Sequence, residues 1–204
     1  KKLRLPKLRN RKMIILVLER VGPAPTPLKW NSIYNVPRII YITGFMGSGK
    51  TTAGKELASL KNWKFIDLDV EIEKKEGKSI GRIFSENGEE YFRKTEAKTL
   101  RELSTDVDTV ISVGGGTPCF YNNMDYMLKR GIVIYLKMTP AEIKSRIEKD
   151  DTERPLLKGI EEKEMLDYIG RKLGEREKYY ERANIITDGY NIDIRQIDEE
   201  IKNL

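Results

Sequence analysis

Residues 44–51 read Gly44-Phe45-Met46-Gly47-Ser48-Gly49-Lys50-Thr51, the pattern G-x-x-x-x-G-K-T. That spacing is suited to holding a polyphosphate. Small residues let consecutive backbone N–H groups turn inward around the anion. A lysine at the end of the loop can reach the outer phosphates, and the next hydroxyl can ligate Mg²⁺. The helix that follows points the positive end of its dipole at the same anion. Gly47, Ser48, Gly49, Lys50, Thr51 and Thr52 are therefore the expected nucleotide contacts, with ATP and Mg²⁺ as the expected cofactors.

Two further clusters could meet that loop. Asp67-Leu68-Asp69 ends a β-prone run, Lys64 to Leu68. Two carboxylates at i and i+2 share one face of a strand. One can hold Mg²⁺ through water while the other contacts a substrate hydroxyl; a solvated strand end or a helix cap is the plainer alternative. Gly114-Gly115-Gly116 follows another β-prone run, Asp108 to Val113, where a ligand can touch bare backbone or the chain can simply turn. Ser112, just before it, is placed to reach a metal's water shell, whereas Cys119 reads as a packed small side chain. Arg93, Arg154 and Arg176 are suited to bidentate contacts with carboxylate or phosphate, with Glu96 one helical turn beyond Arg93 to fix it.

The elements that must carry these residues alternate. Strands are expected at 38–43, 64–68, 108–113, 131–136 and 184–187. Helices are expected after the phosphate loop, across 70–104, from about 122, from Thr139-Pro140 to about 149, over 161–182 and from about 193. Gly77, Gly81 and Gly88 should cut the stretch 70–104 into short pieces. Strand–helix alternation of this kind implies an α/β fold with a five-stranded parallel sheet flanked by helices. Residues 150–160, polar and containing Pro155 and Gly159, read as a mobile lid.

Composition excludes several chemistries. The 204 residues contain no histidine, so imidazole acid–base catalysis and the usual zinc sites are out. One cysteine forms no internal disulfide and suits a reducing cytoplasm. The net charge of +6 is localised: residues 1–36 hold nine Lys/Arg and one Glu, and the remainder is slightly acidic. The basic balance thus gives no support to nucleic-acid binding by the fold. Met13 to Leu18 is too short to span a membrane, and Glu19-Arg20 follow it at once. Residues 1–37, with Pro23, Pro25, Pro27 and Pro37 breaking any regular element, are expected to be a basic extension, disordered or of cloning origin, and 38–204 the single domain.

These pieces together resemble shikimate kinase, a family of small P-loop kinases. The resemblance covers about residues 38–204 and rests on seven motifs in the family's order. They are GFMGSGKT, FIDLDVEIE (65–73), GKSIGRIF (77–84), EEYFRKTE (89–96), VISVGGG (110–116), RPLL (154–157) and REKYY (176–180). By resemblance, Asp69 contacts the reacting ring hydroxyl, and Asp67 and Ser112 lie near Mg²⁺ through water, with Thr51 ligating it. Arg93 and Arg176 bind the shikimate carboxylate, and Gly115 and Gly116 offer backbone contacts. Arg154 closes over the phosphates and Arg146 packs on adenine. Lys50, Asp69 and Arg154 would carry catalysis. Lys178-Tyr179 stand where many members have Pro-Leu. A cytoplasmic monomer acting on shikimate is expected, with no nucleic-acid or membrane partner. The rivals are another small-molecule kinase, for gluconate or a nucleoside monophosphate, and a nucleotide-dependent regulatory module without turnover.

Overall fold

The computed structural model describes residues 37–149 and 161–204. Five strands form one parallel sheet: β1 Ile39–Thr43, β2 Lys64–Asp67, β3 Thr109–Ser112, β4 Ile132–Lys137 and β5 Ile185–Asp188, in the order β2-β3-β1-β4-β5. The α/β fold with a five-stranded parallel sheet is as expected. The N-terminal extension, the lid at 150–160 and Arg154 lie outside the described residues.

β1 is central and buried along its whole length, which is why it reads Ile-Ile-Tyr-Ile-Thr without alternation. α1 (Lys50–Lys61) follows it, α2 (Leu68–Glu76) and α3 (Ile80–Glu102) follow β2, α4 (Asn123–Arg130) follows β3, and α5 (Pro140–Glu148) follows β4. α6 (Glu162–Tyr180) precedes β5, and α7 (Ile194–Lys202) ends the chain. One core gathers Leu68, Ile72, Ile83, Phe92 and Leu100 beneath Tyr41 and Ile111; another gathers Phe45, Tyr135, Ile143, Ile169, Leu173 and Tyr180. The sheet is therefore covered on both faces, as a parallel sheet requires.

The expected fragmentation of 70–104 is only partly realised. Gly77 ends α2 in the left-handed conformation, and Gly88 (φ 79°, ψ 172°) kinks α3. Gly81 lies inside the first turn of α3 and breaks nothing, because Ser79 already caps that turn by accepting from Arg82 N. A short 3₁₀ turn, Thr117–Cys119, stands between the glycines and α4, where no element was foreseen.

The strand order decides where the loops meet. β2, β3 and β1 are neighbours, with Asp67 opposite Ser112 and Ser112 opposite Ile42. The phosphate loop, the Asp67–Asp69 turn and the three glycines thus emerge side by side at the carboxyl edge of the sheet, where ligands of open α/β folds bind.

Candidate active site

The phosphate loop leaves β1 and bends at Gly47 (φ 79°) and Gly49 (φ 82°), both in the left-handed region that glycine reaches without cost. Its curl leaves Ser48 fully buried. Lys50 Nζ donates to Phe45 O at 2.8 Å, so the lysine folds back across the loop it terminates. Thr51 Oγ1 donates to Asp67 Oδ2 at 2.8 Å, which brings the two expected Mg²⁺ neighbours together. Thr52 is exposed in the first turn of α1. Arg146 on α5 borders the loop: a side-chain carbon at Gly49 would lie 3.0 Å from its Nη1. Arg146 Nη2 donates to Tyr190 O at 2.7 Å, and its guanidinium lies 5.4 Å from the centre of the Tyr190 ring.

Asp67 and Asp69 do not share a strand face as the spacing suggested. β2 ends at Asp67, whose Oδ1 accepts from Asp69 N at 3.0 Å and caps α2. The capping alternative is thus realised by Oδ1, while Oδ2 accepts from Thr51. Asp69 consequently sits in the first helical turn and faces the glycines. A side-chain carbon at Gly114 would lie 2.8 Å from Glu96 Oε1, 3.0 Å from Thr117 Oγ1 and 3.2 Å from Asp69 Oδ1.

Arg93 and Glu96 come from α3. Arg93 is only 4% exposed, unusual for an arginine, and Nη1 donates to Glu96 Oε2 at 3.0 Å. Its Nε and Nη2 both donate to Glu89 Oε1 at 3.2 Å. Among the described residues, three of its five N–H donors are thus engaged. The guanidinium lies against bare backbone: a side-chain carbon at Gly116 would be 2.5 Å from Nη2. Arg176, on α6, lies with its guanidinium 5.3 Å from the centre of the Phe45 ring. Arg93 and Arg176 both act on Glu96 by charge, so the two cations converge on one region although far apart in sequence. Gly115 contributes a carbonyl that accepts from the Tyr180 hydroxyl. Ser112, buried at the end of β3, lies beside Asp67.

The electrostatics follow from burial. Among the described residues, Asp69 Oδ1 is sealed from solvent without a hydrogen-bond partner. Burial, then Glu96 and Asp67, pushes the carboxyl up from 3.8 to about 6, against the pull of Lys50 and Arg93. Burial also raises Glu96, opposed by Arg93, the Thr117 hydroxyl and Arg176. Burial pushes the Cys119 thiol up to about 11, so it is not a nucleophile at neutral pH. Among the described residues no cluster of three or more His, Cys, Asp or Glu could hold a metal by itself. The Thr51–Asp67 oxygen pair suits instead a hard cation that takes its other ligands from phosphate and water.

The structure brings together Lys50, Thr51, Asp67, Asp69, Arg93, Ser112, Gly115, Gly116 and Arg176, with Arg146 at the far side of the phosphate loop. Sequence reasoning passed over Thr117, Tyr180 and Tyr190. Thr117 and Tyr180 reach partners 21 and 65 positions away, separations that no local pattern encodes.

Comparison with known proteins points one way. Residues 46–204 match the sequence profile of the shikimate kinase family. A shikimate kinase from Bacteroides fragilis is 42% identical over 166 residues, covering 81% of this chain and 93% of that protein. The crystal structure of shikimate kinase from Bacteroides thetaiotaomicron superimposes with a TM-score of 0.73 at 38% identity, covering 81% of this chain and 95% of that one. A shikimate kinase from Acinetobacter baumannii, in complex with shikimate, superimposes with a TM-score of 0.71 at 32% identity, covering 85% and 95%.

Proposed function

The chain belongs to the shikimate kinase family, and from that premise we propose that it transfers the terminal phosphoryl group of ATP to the 3-hydroxyl of shikimate. The observation that carries this reading is the convergence of Arg93 and Arg176 on Glu96, which meets Asp69 across Gly114, close to the phosphate loop. An acceptor with one carboxylate and a hydroxyl fits such a site.

The loop amides from Gly47 to Thr52 and Lys50 hold the phosphates and meet the charge that develops in an in-line transfer. Asp69 orients the hydroxyl and accepts its proton, a task suited to a carboxyl raised to about 6. Arg93 and Arg176 clamp the carboxylate, and Gly115 and Gly116 let the ring lie on backbone, which fixes one hydroxyl against Asp69. Arg146 packs on the adenine. Thr51, with Asp67 and Ser112 through water, would hold Mg²⁺, which neutralises phosphate charge when bound. Arg154 closes over the phosphates from the segment 150–160. We take a monomer as the acting unit, and the lone Cys119 supports a cytoplasmic setting.

The test is a coupled assay of ADP release with shikimate, gluconate and nucleoside monophosphates as separate acceptors. Shikimate-dependent turnover, with the others at background, is expected. Turnover on gluconate or a nucleotide instead would overturn the acceptor assignment, and none on any acceptor would overturn the reading as a kinase.

A further inference from the structure

The floor beneath the acid clamp is a chain of buried hydrogen bonds. Thr117 Oγ1 donates to Glu96 Oε1 at 2.6 Å, while Arg93 Nη1 donates to the other oxygen, Oε2, at 3.0 Å. The main chain of Thr117 is held in turn. Asn123 Nδ2 donates to Thr117 O at 3.0 Å, and Arg101 Nη1 donates to Asn123 Oδ1 at 2.7 Å. Arg101 Nη2 donates to Tyr121 O at 2.7 Å. Thr117, Asn123 and Glu96 are all 0% exposed. Tyr121 (φ 50°) and Asn122 (φ 53°) are consecutive non-glycine residues in the left-handed region, a corner that persists only where its surroundings hold it.

This arrangement does more than stabilise a turn. Glu96 has two oxygens and two principal partners, one on each side. Its Oε1 also faces Asp69 Oδ1 across Gly114, so like charges crowd the side that Thr117 covers. A buried carboxylate deprived of one donor reorients toward another or takes a proton. Either response would carry the Arg93 guanidinium with it, since Glu96 fixes that guanidinium against Gly116.

We propose that Thr117 is a positioning residue for the acid clamp: its hydroxyl holds Glu96 in the orientation that presents the remaining donors of Arg93 to the acceptor's carboxylate. The proposal deepens the reading given above and rests on Arg93 as an acid-binding residue. Arg101 and Asn123 serve Thr117 by fixing its main chain.

The experiment compares Thr117→Ser, which keeps the hydroxyl, with Thr117→Ala and the nearly isosteric Thr117→Val, which lose it. Steady-state constants are measured for shikimate and ATP separately in the full chain. Loss of a hydrogen bond to a charged group predicts a rise of about tenfold in KM for shikimate in the Ala and Val variants. KM for ATP should stay within about twofold, and Ser should restore the wild-type KM. Because Ser and Ala both shorten the side chain, that pair stands even if the Val variant fails to fold. A Ser variant as impaired as Ala would assign the effect to packing and overturn the proposal. So would equal losses for both substrates, or wild-type constants in all three. Absence of shikimate turnover in the wild type would overturn the acid-clamp reading itself and the proposal with it; normal wild-type turnover with unaltered variants would overturn the relay alone.

Discussion

Asp69→Asn removes a charge from a place where the folded protein resists holding one. The carboxyl is raised from 3.8 to about 6, chiefly by burial. A carboxyl whose pKa is higher folded than unfolded favours folding at low pH and loses that advantage as pH rises through the folded value. Keeping Asp69 ionised in the folded state therefore costs about 3 kcal/mol at most above pH 7, at 1.36 kcal/mol per unit. Asparagine escapes the charge penalty but brings an amide that also needs partners in a site where Oδ1 has none. A net gain of about 1–2 kcal/mol is expected, a rise of about 2–6 °C in Tm for a chain of this size. The assay is thermal unfolding of the unliganded wild type and variant from pH 4 to pH 8. The gain should be smallest near pH 4, grow between about pH 4 and pH 6, and level off above pH 7. The same variant should lose about a hundredfold or more in kcat, since it cannot accept the proton of the hydroxyl. A variant no more stable than wild type at pH 8, or one whose gain is the same at every pH, would refute the reasoning.

Two further outcomes follow from the same site. Arg93→Lys keeps a cation but loses the planar fork, so KM for shikimate should rise about tenfold or more while KM for ATP holds; equal effects on both would remove Arg93 from the acid clamp. Residues 1–36 carry the excess positive charge and none of the proposed site, so a chain beginning at Pro37 should keep its kinetic constants within about twofold, and a folded but inactive truncation would place that segment within the functional domain.

What could be read from the chain depended on the range of the interaction. The phosphate loop was legible because its chemistry is local: eight consecutive residues supply the turn, the cation and the hydroxyl. The strands were legible as apolar runs, and their ends fell within a residue or two. Asp67 was harder, because the capping bond to Asp69 N and the bond from Thr51 compete for attention although they use different oxygens. Gly81 misled, since a glycine in a capped first turn need not break a helix. The burial of Arg93 was hidden because Gly116, against which it lies, is 23 positions away and shows only a missing side chain. Thr117 and Tyr180 were invisible for the same reason: their partners are set by strand order rather than by neighbours in sequence.

The glycine wall has a consequence for how this site can change over generations. Where a pocket is lined by side chains, point substitutions can enlarge, shrink or recharge it in small steps. Here the surface at Gly114 and Gly116 is main chain, and the smallest replacement would press on the Glu96 and Thr117 oxygens or on the Arg93 guanidinium. Any variant along that side must therefore first displace one of those groups. Under the proposed function, acceptor preference would then change more readily through Asp69, Arg93 or Arg176, the side chains assigned to the acceptor. An inhibitor that gains its affinity by lying flat on that backbone would leave the enzyme few routes of mutational escape.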